Sequence, residues 1–352
     1  MDLIKETSRL TAIVKPLLAW YDKNARVLPW REDPSPYRVF VSEIMLQQTR
    51  VEAVKPYFDR FISALPDFEA LSACPEDRLM KLWEGLGYYS RARNLKKAAS
   101  VVMDRFQGRL PASFDALLSL PGFGEYTAGA VASIAFRLSV PAVDGNVLRV
   151  LSRVLNSDAD ISRPDTKAFF RGEITRILPK DRPGDFNQAL MELGATVCKP
   201  NGAPECLLCP LSGLCEGFRQ GVAGLLPVKA PKKARRQERR TVIVLVFDKK
   251  VALSKRAGHG LLSGLYELPN FDGRLNAKTA EDLLKGLGVS VSSVSPLRDA
   301  KHVFTHVEWH MNGFLAIAQG PGLPEGWFWA DKNMLESDYA LPSAFRAYRK
   351  EL

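Results

Sequence analysis

The chain has 352 residues, enough for two domains with their own cores, and its 46% hydrophobic and 25% charged residues exclude bulk disorder. Lysine and arginine total 49 against 39 aspartate and glutamate, and the formal charge of +10 favours a polyanionic partner while allowing an acidic membrane surface. No uncharged run reaches the length of a membrane span, and Lys5, Glu6 and Arg9 interrupt the apolar start where a signal peptide needs a continuous core, so the expected location is the cytoplasm.

From Thr7 to Asp22, Leu10, Ile13, Val14, Leu17 and Leu18 repeat at helical spacing, and Leu28-Pro29-Trp30-Arg31 ends the helix. After a Pro34-Ser35-Pro36 turn, Tyr37 to Leu46 predicts a second helix, with Glu43, Gln47 and Arg50 along one face at steps of four and three. Taken alone, such a stripe reads as a solvated face. Further helices are expected over 51–64, 76–86 and 90–106. Between the last two, Gly85-Leu86-Gly87-Tyr88-Tyr89-Ser90-Arg91 places apolar and aromatic side chains on a glycine-rich loop, as either a packing corner or a binding loop.

Ser113 is placed to cap a short helix carrying Phe114, Leu117, Leu118 and Leu120, and Pro121-Gly122-Phe123-Gly124 turns the chain into another with the small-residue face Ala128, Val131, Ala132, Ala135 and Phe136. The glycines open backbone angles closed to other residues and let another molecule approach the main chain. Amides opening the second helix lack intrahelical acceptors and suit a phosphate, so Gly122, Phe123 and Gly124 are candidate contacts to a DNA backbone. The bland alternative is an αα-hairpin with a glycine cap. Asp144 then opens a helix marked by Val147, Val150, Leu151 and Val154, where an aspartate is most often an N-cap.

Four of the five cysteines, Cys198, Cys206, Cys209 and Cys215, follow in the pattern Cys-x7-Cys-x2-Cys-x5-Cys, while Cys74 stands alone and reads as a buried small hydrophobe. Cytosolic cysteines grouped in this way usually hold a metal, and four thiolates suit either zinc or a [4Fe-4S] cluster. Histidine is absent before His259, so neither a Ser-His-Asp triad nor the zinc site of a base deaminase can be built in that part. Chemistry there falls to carboxylates, lysine, tyrosine or the metal.

From about Gly217 to Arg240 the periodicity lapses, and Lys229, Lys232, Lys233, Arg235, Arg236, Arg239 and Arg240 oppose only Glu238, as a basic linker that meets phosphates or is merely solvated. From Thr241 the texture is strand-like, with a helix near 279–286, and predicts a separate α+β domain. His302, His306 and His310 lie four apart, a metal-site spacing on a helix, but the alternation through Val303, Thr305, Val307, Trp309 and Met311 indicates a strand. The expected organisation is thus multidomain, with an all-α domain over 1–222, a basic linker over 223–240 and an α+β domain over 241–352.

Ser42-Glu43-Ile44-Met45-Leu46-Gln47-Gln48-Thr49, the hairpin at Leu120 to Thr127, Val143-Asp144-Gly145-Asn146-Val147 and the cysteines together resemble the adenine DNA glycosylases of the MutY type. That family belongs to the helix-hairpin-helix base-excision glycosylases, with a [4Fe-4S] loop and a Nudix-like C-terminal domain. The resemblance implies removal of adenine mispaired with 8-oxoguanine or guanine in double-stranded DNA by a monomeric enzyme without membrane association.

By the same resemblance, Glu43 protonates the adenine, Asp144 stabilises or transiently bonds the sugar cation, and Tyr126 joins them as a catalytic residue. Arg26, Trp30, Arg31 and Gln188 contact the base, while Gln48, Leu86 and Tyr88 fill the gap it leaves in the duplex. Phe304-Thr305-His306 matches the loop that recognises 8-oxoguanine, usually Phe-Ser-His; threonine keeps the hydroxyl and adds a methyl.

Two departures stand out. The first cysteine gap holds seven residues against the family's six, in a turn-forming stretch from Lys199 to Pro204. The segment from Gly264 to Gly288 lacks the paired glutamates of a Nudix metal site, which argues against hydrolysis of free nucleotides.

The chemistry itself needs two carboxylates in different environments, one delivering a proton to the leaving base and one facing the oxocarbenium ion. The closest rival is an endonuclease III-type glycosylase-lyase acting on pyrimidines, whose nucleophilic lysine would occupy the position of Tyr126. A non-catalytic iron-sulfur DNA sensor is the rival from another class.

Overall fold

A computed structural model describes residues 3–200, 203–231 and 234–351, with side chains from residue 9 onward. The chain forms two compact units, Met1–Ala73 with Asn94–Pro231, and Cys74–Arg93 with Lys232–Leu352.

The first unit is helical. It contains α1 (Leu3–Asn24), α2 (Pro29–Glu32), α3 (Pro36–Leu46), α4 (Val51–Ala64) and α5 (Phe68–Ala73). α6 (Glu76–Leu82) and the opening of α7 (Ser90–Phe106) fall in the second unit. The first unit continues with α8 (Phe114–Leu118), α9 (Glu125–Phe136), α10 (Gly145–Leu155), α11 (Pro164–Ile177), α12 (Pro183–Thr196) and α13 (Glu216–Arg219). Leu10, Ile13 and Leu17 of α1 are fully buried in one core with Val147, Val150 and Leu151 of α10, Phe170 and Ile174 of α11, and Leu190 and Leu193 of α12. Burying a side chain of this size contributes about 1.5–3 kcal/mol. The apolar repeat of the first helix therefore does the packing its spacing anticipates.

Start signals match local chemistry. Ser35 accepts from the Arg38 amide with Pro36 at the first helical position, and Ser113 accepts from the Ala116 amide. The expected face of Glu43, Gln47 and Arg50 does not form, because α3 ends at Leu46 and Gln48 has a left-handed φ of 58°. Gln47 caps α3 and Arg50 caps α4, so neither continues the stripe. The helix expected over 76–86 stops at Leu82, and the chain turns through positive φ at Gly85, Gly87 and Tyr88.

The second unit is built on a seven-stranded sheet: β1 (Arg236–Phe247), β2 (Lys250–Lys255), β3 (Tyr266–Glu267), β4 (Asn270–Asp272), β5 (Val291–Val303), β6 (Val307–Ala318) and β7 (Trp327–Ala330). Its main order is β3-β2-β1-β6-β5, with β4 beside β1 and β7 beside β2. β1 and β6 run parallel, pairing Ile243 with Phe314, while β5 and β6 are antiparallel and pair His302 with Trp309. α14 (Ala277–Gly286) buries Ala280 and Leu284 in the core on one face with Ile243 and Leu245; the other face packs Val242, Val244, Trp309 and Phe345. α15 (Lys332–Ser337) follows β7.

Two expectations change in this unit. β1 starts at Arg236, so residues 236–240 are strand rather than linker, with Arg236 and Arg240 facing Glu238; Lys232 and Lys233 lie outside the described residues. The histidines do not share one strand: His302 is on β5, His306 in the turn and His310 on β6. The stretch is a sheet hairpin rather than a single strand, and the alternation continues across its tight turn because no glycine or proline marks it.

Candidate active site

Glu43, Tyr126 and Asp144 come from three elements and line one cleft of about 580 Å³ in the first unit. Arg26, Trp30, Arg31, Gln48, Gly124 and Gln188 line it too. Glu43 is on the inward face of α3 and only 6% exposed. The Tyr126 hydroxyl, on the first turn of α9, donates to Glu43 Oε2 at 2.6 Å and also approaches Met191 Sδ at 3.2 Å. Burial pushes the Glu43 carboxyl up to about 7, aided by the Asp144 charge and opposed by the Tyr126 hydrogen bond and the Arg31 charge. Burial also holds the Tyr126 phenol well above its ordinary value, reinforced by the neighbouring Glu43 charge.

Asp144 is both the N-cap of α10 and a wall of the cleft. Its Oδ1 accepts from the Asn146 and Val147 amides at 2.8 Å each, and its Oδ2 accepts from Asn146 Nδ2 at 2.7 Å. Burial raises its pKa, while these donors stabilise the charged form and oppose the shift. A capping role and a place in the site are thus compatible. The position depends on close approach of α12, since a Cβ on Gly194 would lie 2.6 Å from the Asn146 Cβ.

The hairpin turn divides its residues. Gly122 has φ +81°, and a side chain there would meet Asn94 Cβ at 2.8 Å. Gly124 has an ordinary extended conformation at the N-cap of α9 with open space where a Cβ would stand, so openness rather than strain suits it to an incoming molecule. Phe123 does not face outward: its ring stacks on Phe40 at 4.5 Å, and its amide donates to Leu120 O.

Trp30 is buried edge-on against Phe58. Arg31 donates from Nε to Gln188 Oε1 at 3.0 Å and from Nη2 to Glu192 Oε2 at 2.9 Å. Arg26 donates from Nε to Glu192 Oε1 at 2.5 Å. Glu192 is a site residue not expected from the sequence, although its place one helical turn after Gln188 on α12 puts both on the same face.

In the second unit, Leu86 is 7% exposed and Tyr88 is 44% exposed. Tyr88 therefore presents its ring while Leu86 packs inward. The Tyr88 hydroxyl lies 3.0 Å from Thr305 Oγ1 in the β5–β6 turn. Thr305 and His306 are exposed at that turn, and half-buried Phe304 packs edge-on against Trp309 at 5.1 Å.

Cys198, Cys206, Cys209 and Cys215 line a single apolar cavity with Val150, Leu193 and Phe218. Among the described residues, no three His, Cys, Asp or Glu side chains are drawn together tightly enough for a single metal ion. The four thiols face one cavity, and their chemistry suits either zinc or a [4Fe-4S] cluster. Arg153 Nη1 donates to Cys198 Sγ at 3.1 Å, a cation facing what would be an anionic centre. Burial pushes the Cys209 thiol up to about 12, so a bound metal would have to provide the opposing charge. In the seven-residue gap, Lys199 and Glu205 form an ion pair at 2.5 Å; Asn201 and Gly202 lie outside the described residues. Arg149 links this region to Asp144, donating to Cys198 O and to Asn146 Oδ1 at 2.8 Å each.

The family model described as HhH-GPD superfamily base excision DNA repair protein matches residues 41–175, and a NUDIX domain model matches 241–351. Among solved structures, a thermostable thymine-DNA glycosylase is 30% identical with TM-score 0.55, over 60% of this chain and 98% of that one. The human adenine DNA glycosylase is 33% identical over 99% of this chain and 76% of its own length. That of Buchnera aphidicola subsp. Schizaphis graminum is 34% identical, over 84% of each chain. With a helical hairpin domain, a Nudix-like sheet domain and relatives of this extent, the chain belongs to the adenine DNA glycosylase family.

Proposed function

We propose that this protein removes adenine mispaired with 8-oxoguanine or guanine from double-stranded DNA by hydrolysing its N-glycosidic bond. The observation that carries the reading is a buried Glu43, with a pKa raised to about 7, in the same cleft as Asp144. Near neutral pH a substantial fraction of Glu43 holds a proton to deliver to the departing base. Asp144, with both oxygens accepting hydrogen bonds, offers negative charge to the oxocarbenium ion or bonds to it transiently. Tyr126 holds the Glu43 carboxyl in place, and its phenol supplies no amine for a lyase.

Residues 1–222 form the catalytic domain, 223–235 the linker and 236–352, from the start of β1, the 8-oxoguanine recognition domain. Gly124 admits the DNA backbone at the N-terminus of α9. Gln48 and Tyr88 occupy the gap left by the flipped adenine, and the exposed Thr305 and His306 meet the opposite base. The four cysteines hold a [4Fe-4S] cluster, which when bound cross-links their loop to the core beside α10.

The test is incubation of purified protein with duplexes carrying adenine opposite 8-oxoguanine, guanine or thymine. Adenine release confined to the first two, with strand breaks appearing only after alkali, is expected. Binding without release, or release of oxidised pyrimidines with alkali-independent breaks, would overturn the reading. Thr305→Ala should narrow the preference for 8-oxoguanine over guanine.

A further inference from the structure

Glu192 has the features of a device rather than a filler. It is a carboxylate in the middle of α12 whose side chain is 1% exposed, a burial that demands opposite charge. Two guanidiniums supply it: Arg26 donates to both oxygens, and Arg31 donates to Oε2. Burial would raise the Glu192 pKa, but the Arg26 hydrogen bond and the Arg31 charge outweigh it and the net shift is downward. Glu192 is therefore an anion at neutral pH, holding two cations at the wall of the cleft.

Arg31 passes this constraint on. Its Nε donates to Gln188 Oε1, and arginine has no acceptor, so the Gln188 oxygen must face Arg31. The amide nitrogen of Gln188 is thereby turned the other way, presenting N–H donors. A glutamine whose flip is not fixed can offer either group to a base edge and discriminates poorly.

We propose that Glu192 is a positioning residue for base selectivity: by anchoring Arg31 and Arg26 it locks the Gln188 amide in the orientation that presents its N–H donors to the base. The proposal rests on the reading of the cleft as the adenine site. Glu192 does not touch the base; it acts through Arg31.

The experiment compares binding of wild type, Glu192→Gln and Glu192→Asp to two duplexes, each with 8-oxoguanine on the opposite strand. One carries a 2′-fluorinated deoxyadenosine that resists cleavage, and the other carries a tetrahydrofuran abasic analogue. Glu192→Gln removes the charge and places an N–H donor against a guanidinium. It is expected to weaken binding to the adenine duplex by about 10-fold or more while changing abasic-duplex binding less than 2-fold, with Glu192→Asp recovering most of the loss.

In a Gln188→Ala background, Glu192→Gln should add little further loss, because both act through one amide. Equal weakening on the two duplexes, no change on either, or fully additive effects with Gln188→Ala would overturn the proposal. Should Glu192→Gln not fold, the smaller residual loss left by Glu192→Asp carries the same comparison, and it is expected on the adenine duplex alone. If wild type releases no adenine and does not distinguish the two duplexes, the reading of the cleft is what fails.

Discussion

The hydroxyl of Tyr126 donates a 2.6 Å hydrogen bond to Oε2 of Glu43, joining residues 83 positions apart in the cleft. A phenol held well above its ordinary pKa remains a donor, and its bond favours the ionised carboxylate, opposing the burial that raises Glu43. Tyr126→Phe should therefore raise the Glu43 pKa and move the alkaline limb of the single-turnover pH profile upward by about one unit. A limb that stays in place would mean that another group delivers the proton.

Glu43→Gln keeps the shape and removes the proton, and Asp144→Asn removes the negative charge while leaving a cap for α10. Each should slow adenine release by at least about 100-fold at neutral pH, the usual contribution of a positioned acid or charge. Duplex binding should change little. Quenched single-turnover assays and gel-shift measurements separate the two quantities.

Stability should also report on Glu43. Its folded pKa lies above its unfolded value, so its contribution is fully present below the unfolded value near 4.5 and is lost as pH rises through about 7. Glu43→Gln, which does not ionise, should raise the melting temperature relative to wild type at pH 8, with the gap closing toward pH 5. The shift corresponds to a gain of up to about 3 kcal/mol. Melting temperatures that do not converge at low pH would place the effect elsewhere.

Gly194 lets α12 approach Asn146, the residue that donates to Asp144. Gly194→Ala inserts a methyl where 2.6 Å separates the would-be Cβ from its neighbour, and should cost about 1–3 kcal/mol of stability. Adenine release should fall as well, because Asp144 and Gln188 shift together. Denaturant midpoints and turnover, measured on the same preparation, check both.

The proposed cluster is tested by its metal content. Protein purified without air should carry about four irons and four acid-labile sulfides per chain, as a [4Fe-4S] centre requires. Cys198→Ala should lower that content and the melting temperature, since Cys198, Cys209 and Cys215 border the core containing Val150 and Leu193. One zinc per chain, with no labile sulfide, would replace the cluster with a mononuclear site.

What the sequence determined by itself is local. The helices at 51–64 and 90–106 follow from apolar spacing, the Ser35 and Ser113 caps from residue type, and the grouping of four cysteines from plain order. Those features depend on neighbours within a few positions. Tertiary structure decided the rest, because it depends on which distant surfaces meet and how much water they exclude. It turned Phe123 into a core ring on Phe40, packed Leu86 inward while leaving Tyr88 exposed, and folded the histidine stretch into a hairpin. It also closed Glu192 between two arginines and raised Glu43 to about 7, shifts that arise only when a carboxylate leaves water and meets its partners.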